Sequence, residues 1–170
     1  MHQKGITLFC LIIMSASISL LSQDLKSDAR MKKAFRRPAV SGWTFVHLEG
    51  TPSEIGFQHG SLLAAEILDM KKLAELELKH GSQKEWTFFR NAARDMMWPH
   101  VEQEYRDELQ GITDGVNARG VKLDLWDIVA LNGLLEWDYY VKEYNKQHKI
   151  PSPKSLATAE HCSAFVATGS

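Results

Sequence analysis

The sequence contains little cysteine and little proline, and it has no large excess of either charge. Its 170 residues include 2 Cys and 5 Pro, which excludes a disulfide-dense scaffold and a collagen-like repeat. The formal net charge is −1, whereas proteins that bind nucleic acid through their overall charge carry a basic excess. Hydrophobic residues make up 44%, which is too many for a disordered chain. We therefore expect one folded domain and no nucleic-acid partner.

The N-terminus lacks an apolar run of membrane-spanning length. Lys4 precedes an apolar run from Ile6 to Met14, and small residues follow over 15–19. This order is typical of a secretory signal peptide. The run is shorter than the ~20 residues of a spanning helix, which disfavours the alternative of an uncleaved anchor. We predict a signal peptide over residues 1–22 and a secreted, periplasmic or otherwise extracytoplasmic protein.

Removal of this signal takes Cys10 with it and leaves Cys162 as the one cysteine of the sequence. A lone cysteine in an oxidising compartment is a buried bystander, half of an intermolecular disulfide or a reactive thiol. Cys162 follows a polar linker predicted over 144–161 and begins an apolar strand predicted over 162–170. If the bond before Cys162 were cut, a free α-amine with a pKa of ~7.7–8 would stand beside the thiol and could take its proton.

The middle of the sequence predicts helices. A polar basic arm is expected over 23–41 and a helix-rich part over 42–143, beginning with a strand at Trp43–Leu48. Apolar residues at helical spacing predict a first helix from Pro52 to about Lys79, ending at Gly81. Three more helices are expected, with these boundaries or markers: Trp86 to Met97 before Pro99, Val101 to Gly120, and Asp124 onward with Leu125, Ile128, Leu131 and Leu135 facing inward.

The segment from residue 50 to residue 60 is the densest motif of the helical part. Thr51 and Glu54 have the spacing of a capping box, with Gly50 directly before them. Gly56 and Gly60 are one helical turn apart and share a face. Close approach of another element to this face is favoured over ligand binding, because helical glycine usually serves backbone contact. The spacing fits neither a dinucleotide-binding loop nor a P-loop.

Histidine and carboxylate residues give only weak metal signals. His100 and Glu104 are four residues apart, but no second histidine joins them. His47 and His59 are isolated and are interpreted as structural. We predict no metal and no cofactor.

Four segments resemble, in the same order, the cysteine-type N-terminal-nucleophile hydrolase family that contains acyl-coenzyme A:6-aminopenicillanic-acid acyltransferase. They are Gly-Thr-Pro-x-Glu-x-Gly-x-x-x-Gly at 50–60, Tyr-Arg-Asp-Glu-Leu-Gln-Gly-Ile-Thr-Asp-Gly and the glycine that follows at 105–120, Asp-Ile-Val-Ala-Leu-Asn at 127–132, and Cys-Ser-Ala-Phe at 162–165. The resemblance covers about residues 42–170.

The resemblance implies an α+β fold, namely the N-terminal, helix-rich part of a four-layer αββα sandwich that is incomplete in this chain. It implies cleavage between His161 and Cys162, with Cys162 as the catalytic nucleophile. His161 stands where the best-known relative has a glycine. The substrate would be a small acyl amide or thioester. The partner would be the missing C-terminal large-subunit portion, which would carry the pocket and the oxyanion donors.

Two alternatives remain open at the level of sequence. One is a non-enzymatic exported helical module that binds a partner through the face of Gly56 and Gly60, or a degraded remnant. The other is a hydrolase of bile-salt or ceramide amides, or a phospholipase-B-like enzyme, that uses the same nucleophile.

Overall fold

The computed structural model describes residues 28–151 and shows a mainly helical α+β fold. In this range, a two-stranded sheet of β1 (Phe35–Arg36) and β2 (Val46–His47) precedes the helices. The helices are α1 (Pro52–Leu62), α2 (Ala64–Ser82), α3 (Trp86–Ala92), α4 (Gln103–Ala118), α5 (Leu125–Asn132) and α6 (Trp137–Gln147). The predicted signal peptide, the predicted cleavage site at His161 and Cys162, and the predicted final strand lie outside the described residues.

The sheet is an antiparallel hairpin that begins in the segment predicted to be a solvated arm. Its turn carries Ser41 and Gly42 with φ of 51° and 82°, a conformation that reverses the chain tightly. From Asp28 onward the arm contains one strand of the hairpin, and its residues 35–42 are exposed, as expected of a solvated segment. The strand predicted over Trp43–Leu48 is present as β2, which is only two residues long.

The single helix predicted from Pro52 is interrupted at Leu63. The backbone of Leu63 leaves the helical region, with φ of −121° and ψ of 22°. Two carbonyl groups just before the break accept hydrogen bonds from arginine side chains. Arg36 donates to the Leu62 carbonyl and Arg119 to the Ser61 carbonyl, each at 3.0 Å. The break persists because these distant side chains replace helical hydrogen bonds, a contact that helical periodicity does not reveal.

The segments on either side of α3 also differ from the predicted helices. Helix α2 ends at Ser82, and Gln83 rather than Gly81 takes the left-handed conformation, with φ of 59°. After α3, residues 93–97 form a π-helical turn and residues 98–100 a 3₁₀ turn. Pro99 lies in that 3₁₀ turn, where its missing N–H costs no helical hydrogen bond. The backbone is then extended at Val101 and Glu102 before α4 begins.

The last helices confirm one prediction and correct two. Asp124 caps α5, as predicted, by accepting hydrogen bonds from the backbone N–H groups of Trp126 and Asp127. Leu135, predicted to face inward, is 83% exposed because α5 ends at Asn132 and the chain turns before α6. Helix α6 then continues to Gln147, inside the segment 144–161 that was predicted to be a linker.

Buried apolar residues form two clusters. The larger cluster joins α2, α3, α5 and α6 and is rich in aromatic rings, with Trp86, Phe89 and Trp137 at its centre. The smaller one joins α4 and α5 through Ile112, Val116, Leu123 and Ile128. Within residues 28–151, no helix combines the length and the apolar character needed to cross a membrane.

Candidate functional site

The motif predicted at residues 50–54 forms the start of α1. The Thr51 N–H donates to Oε2 of Glu54 at 2.8 Å, and the Glu54 N–H donates back to the Thr51 hydroxyl at 3.4 Å. The Thr51 hydroxyl also donates to Oε2 of Glu54 at 2.8 Å, and together with the Thr51 N–H it holds the pKa of the Glu54 carboxyl below its usual value. Gly50 has φ of 148°, and a Cβ there would lie 2.7 Å from the Glu54 carboxylate. The prediction of a capping box is confirmed, and the box fixes where the helix begins.

Helices α1 and α4 cross with their backbones in direct contact. Gly56 and Gly60 of α1 face Gly111 and Gly115 of α4. A Cβ added at any of the four would lie 2.0–2.3 Å from a carbonyl oxygen of the opposite helix. We call these four residues the glycine crossing. It confirms the prediction that Gly56 and Gly60 allow close approach, and their matching pair was detectable as the same spacing in α4.

Gln58 lies between the two glycines of α1 and connects the crossing to the N-terminal segment. Its side chain is 1% exposed. The Gln58 amide donates to the carbonyls of Arg30 and Glu49 at 2.6 and 2.9 Å, and its oxygen accepts from the Glu49 N–H at 2.8 Å. The Arg30 guanidinium lies 3.3 Å from the ring centre of Phe57. Sequence reasoning missed Gln58, because a polar residue in an amphipathic helix is expected to face solvent.

His59 also lies between the two glycines and lines two adjoining cavities. The apolar cavity, of about 270 Å³, lies between α1, α2, α4 and α5. The second cavity, of about 590 Å³, has both polar and apolar residues in its wall and lies between α1, α4, α5 and the turn before α4. His59, Ile112 and Asn132 line both cavities. Burial lowers the pKa of His59, and the nearby Glu108 carboxylate opposes that shift. His59 is therefore neutral at pH 7.

Among residues 28–151, the other histidines do not form the arrangement that would hold a metal. His100 ends the 3₁₀ turn and Glu104 lies in the first turn of α4, so the two residues do not share one helix. His47 stacks on Phe35 and approaches Glu49 at 3.6 Å. Residues 28–151 contain no group of three or more His, Cys, Asp or Glu side chains placed to hold a metal ion.

Asp127, in the third segment of the resemblance, has a structural role. Its carboxylate accepts a hydrogen bond from the Trp86 indole N–H at 2.8 Å and lies 3.3 Å from the Arg90 guanidinium. Its second oxygen accepts from the Asp124 N–H at 3.1 Å, which completes a second capping box. Buried carboxylates need such partners, and here they tie α3 to the start of α5.

Comparison with known proteins gives one distant similarity. No family model matches the chain, and no solved structure does. An uncharacterized protein of Archaeoglobus fulgidus is 28% identical over 131 residues, which cover 74% of this chain and 21% of that protein. The chain thus spans about a fifth of the length of this relative.

The predicted functional residues fall into two groups. Gly50, Thr51, Glu54, Gly56 and Gly60 come together at α1, where they build a helix start and a helix contact. Residues 28–151 contain no cysteine, so the thiol predicted to react is confined to the segment beyond them. The described residues therefore provide a scaffold and two cavities, and the predicted nucleophile lies outside them.

Proposed function

We propose that this chain is the N-terminal part of an exported, self-processing cysteine acyltransferase or amidohydrolase. Cleavage between His161 and Cys162 frees the nucleophile, Cys162. The complete enzyme has the αββα sandwich of the N-terminal-nucleophile hydrolases, and the described helices belong to its propeptide or small-subunit part.

The glycine crossing is the observation that carries this proposal. Three segments bear the resemblance within the helical part, and two of them, residues 50–60 and residues 105–120, contain paired glycines. Each of these two supplies one pair of glycines to the crossing, and each pair fits against the backbone of the other helix. The glycine spacings in the two segments therefore have one structural explanation, which is the backbone contact between α1 and α4. This supports treating these two segments as one inherited unit with the Cys162 segment, the fourth part of the same pattern.

Self-cleavage follows from the chemistry of a thiol next to a peptide bond. The Cys162 sulfur attacks the carbonyl carbon of His161, a C–S bond forms, and the C–N bond to Cys162 breaks. The Cys162 nitrogen takes up the proton that the thiol gives up and becomes an amine. Water then hydrolyses the thioester, which leaves a carboxylate on His161 and a free α-amine and thiol on Cys162.

Turnover uses the new α-amine as the base. The amine takes the thiol proton, and the thiolate attacks the acyl carbon of an amide or thioester. The leaving amine or thiol departs with that proton, and the acyl group stays on Cys162 as a thioester. Water or an acceptor amine then takes the acyl group. No metal or cofactor enters these steps.

The test is the fate of the full-length protein as its gene encodes it. Under denaturing conditions the wild type is expected to give two chains, and N-terminal sequencing of the second should begin Cys-Ser-Ala-Phe. Cys162→Ala should give one chain. Cys10→Ala is the matched control, because Cys10 lies in the predicted signal peptide, and it should cleave like the wild type. A wild-type protein that stays in one piece would contradict the proposal.

The alternative of a binding module that uses Gly56 and Gly60 meets a physical obstacle. Their face is filled by α4, whose carbonyl oxygens lie where a Cβ would be. A partner could reach these glycines only by displacing α4. The geometry therefore favours an internal, structural role for them.

A further inference from the structure

The hairpin of β1 and β2 has a dense set of exposed apolar side chains. In the described part of the chain, twelve large apolar side chains are exposed, and four of them lie within residues 35–45. The four are Phe35, Val40, Trp43 and Phe45. We call residues 37–45 the tip of the hairpin. Val40 and Trp43 pair across its turn and are 71% and 82% exposed, so the most exposed apolar residues of the hairpin lie at its tip.

One face of the hairpin is attached to the helices. Phe35 pairs with His47, and their rings stack with 5.1 Å between the centres. Because side chains alternate between the two faces of a strand, Arg36 lies on the opposite face from Phe35. Arg36 donates hydrogen bonds to the Leu62 carbonyl of α1 and to the Glu66 carboxylate of α2. The face that carries Phe35 is therefore turned away from the helices.

The hairpin is basic, whereas the helical part is acidic. Residues 28–49 contain five Lys and Arg against two Asp and Glu, a balance of +3. Residues 50–151 contain 12 Lys and Arg against 17 Asp and Glu, a balance of −5. The apolar side chains of the tip are therefore exposed in the part of the described chain that carries a positive excess.

The carboxylates near the hairpin lie at its base, which we define as residues 28–33 and 47–49. Asp28 pairs with Arg30, and Glu49 pairs with Lys33. The carboxylates of the helices that interact with the base or with Arg36 are Glu54, Glu66 and Asp114. Among the described residues, negative charge near the hairpin is therefore found at the base and at the attachment to the helices.

The tip carries a single charge, the guanidinium of Arg37. This group lies 5.7 Å from the ring centre of Phe35 and 4.7 Å from that of Phe45. Lys32, at the base, is exposed, and neither it nor Arg37 forms an ion pair with a carboxylate of the described residues. Positive charge without an acidic partner therefore lies beside exposed aromatic rings.

We propose that the hairpin docks on an anionic lipid surface. The rings of Trp43 and Phe45 lie at the level of the headgroups, where aromatic side chains are preferred. Lys32 and Arg37 face the lipid phosphates, which attract basic residues close to the surface. The positive charge argues against a second copy of the chain as the occupant, because a symmetric contact would bring two basic tips together. Docking in the plane of the interface requires no membrane-spanning helix.

This surface goes beyond the proposed acyl transfer, because no residue of the hairpin takes part in the chemistry of Cys162. The test is sedimentation of the full-length protein with vesicles of equal parts phosphatidylcholine and phosphatidylglycerol, compared with vesicles of phosphatidylcholine alone. Binding is expected to be at least ~10-fold tighter to the anionic vesicles and to weaken as salt is added. Equal binding to both vesicles would overturn the proposal. So would a lack of binding, as expected if a second copy or another part of the full-length protein covers the hairpin.

Apolar variants test the role of the tip. The double variant Val40→Ser, Trp43→Ser should weaken binding to the anionic vesicles about tenfold, because it removes the apolar groups that enter the interface. Leu135→Ser is the matched control, since Leu135 is 83% exposed and lies outside the hairpin. An equal loss in this control would contradict the assignment.

Charge variants test the choice of an anionic surface. The double variant Lys32→Gln, Arg37→Gln should remove most of the preference for anionic vesicles, and Lys32→Arg, Arg37→Lys, which keeps both charges, should retain it. Lys122→Gln, at an exposed lysine between α4 and α5, is the control and should bind like the wild type. If the charge-conserving variant lost the preference as well, the shape of the hairpin rather than its charge would be responsible, and the proposal would fail.

Discussion

The glycine crossing and the aromatic cluster hold helices together in different ways, one through backbone contact and the other through large side chains. In the crossing, α1 and α4 touch through bare backbone, and an added Cβ would lie 2.0–2.3 Å from a carbonyl oxygen. In the cluster, large rings fill the space between helices, with Phe89 fully buried and its ring centre 5.5 Å from that of Trp137. The crossing therefore resists any added atom, whereas the cluster resists any removed one.

This difference determines which substitutions each region tolerates. A core of large side chains accepts other apolar residues of similar volume, because rotamers can adjust. Two backbones in contact have no rotamers with which to adjust. We therefore expect the crossing to fix the relative position of α1 and α4, and with it the walls of both cavities at His59.

The largest effect is expected from removing volume in the aromatic cluster. Phe89→Ala should lower the free energy of unfolding by about 3–5 kcal/mol, because it leaves a cavity where a fully buried ring had been. Phe89→Leu, which keeps much of the volume, should lose clearly less. Urea unfolding in the Cys162→Ala background, which stays in one piece, measures both. Equal losses would show that the cluster is as residue-specific as the crossing.

The crossing should respond to the addition of a single methyl group. Gly60→Ala gains ~1 kcal/mol of helix propensity, yet its Cβ would lie 2.1 Å from the Ile112 carbonyl oxygen. We expect a net loss of about 2–3 kcal/mol in the free energy of unfolding. Gly81→Ala is the matched control: a Cβ there meets nothing within 4 Å, so the change should be neutral or stabilising by up to ~1 kcal/mol. If both variants behaved alike, the crossing would not be a rigid contact.

Local signals made parts of this comparison predictable. The spacing of Thr51 and Glu54 predicted the start of α1, and Asp124 predicted the start of α5, because caps depend on neighbours within one turn. Gly56 and Gly60 predicted a close contact, because glycine in a helix is costly unless another backbone approaches. What approaches them was not predictable from that segment alone.

Contacts between distant segments account for most of the differences. The break at Leu63 depends on Arg36 and Arg119, which are remote in sequence. The pairing of β1 with β2 was missed because the basic residues around β1 suggested a solvated arm. The end of α6 was missed because the residues that follow Tyr144 are polar, although the Tyr144 ring packs edge-on against Phe88 of α3 at 4.9 Å between ring centres. The cysteine count left a reactive thiol as one of three possibilities for Cys162, the resemblance assigned it as the nucleophile, and the described residues do not test it.

Loss of the hydrogen bonds by which Gln58 connects α1 to the N-terminal segment should lower the free energy of unfolding by less than the Gly60 substitution does. Gln58→Leu keeps the size of the side chain but leaves the Glu49 N–H and two carbonyls without their partner. We expect a loss of about 2 kcal/mol in the free energy of unfolding, because buried polar groups without hydrogen bonds are destabilising. Faster hydrogen exchange at the Glu49 amide should accompany it. Gln110→Leu, at an exposed glutamine of α4, is the control and should change the free energy by less than ~0.5 kcal/mol.

The smallest effect is expected in the pH dependence of the free energy of unfolding. It distinguishes His59, which lies beside the glycine crossing, from the aromatic cluster. Burial depresses the pKa of His59 in the folded state below the unfolded value near 6.5, so the unfolded chain binds the proton more readily. The stability that neutral His59 contributes is present above pH ~6.5 and is lost as the pH falls through the folded pKa. In the cluster, burial raises the pKa of Tyr140 above 10.0, so that residue stays neutral throughout this range.

Unfolding measured at pH 7.5 and pH 5 tests this difference. His59→Gln should show a smaller loss of stability between the two pH values than the wild type, because Gln cannot take up a proton. The other titratable groups of the two cavities are Glu66, His100, Glu102, Tyr105 and Glu108, and all are unchanged in that variant. Glu108→Gln should act in the opposite direction: without its negative charge the pKa of His59 falls further, and the loss in acid grows. If the two variants moved the loss in the same direction, burial of His59 would not be its source.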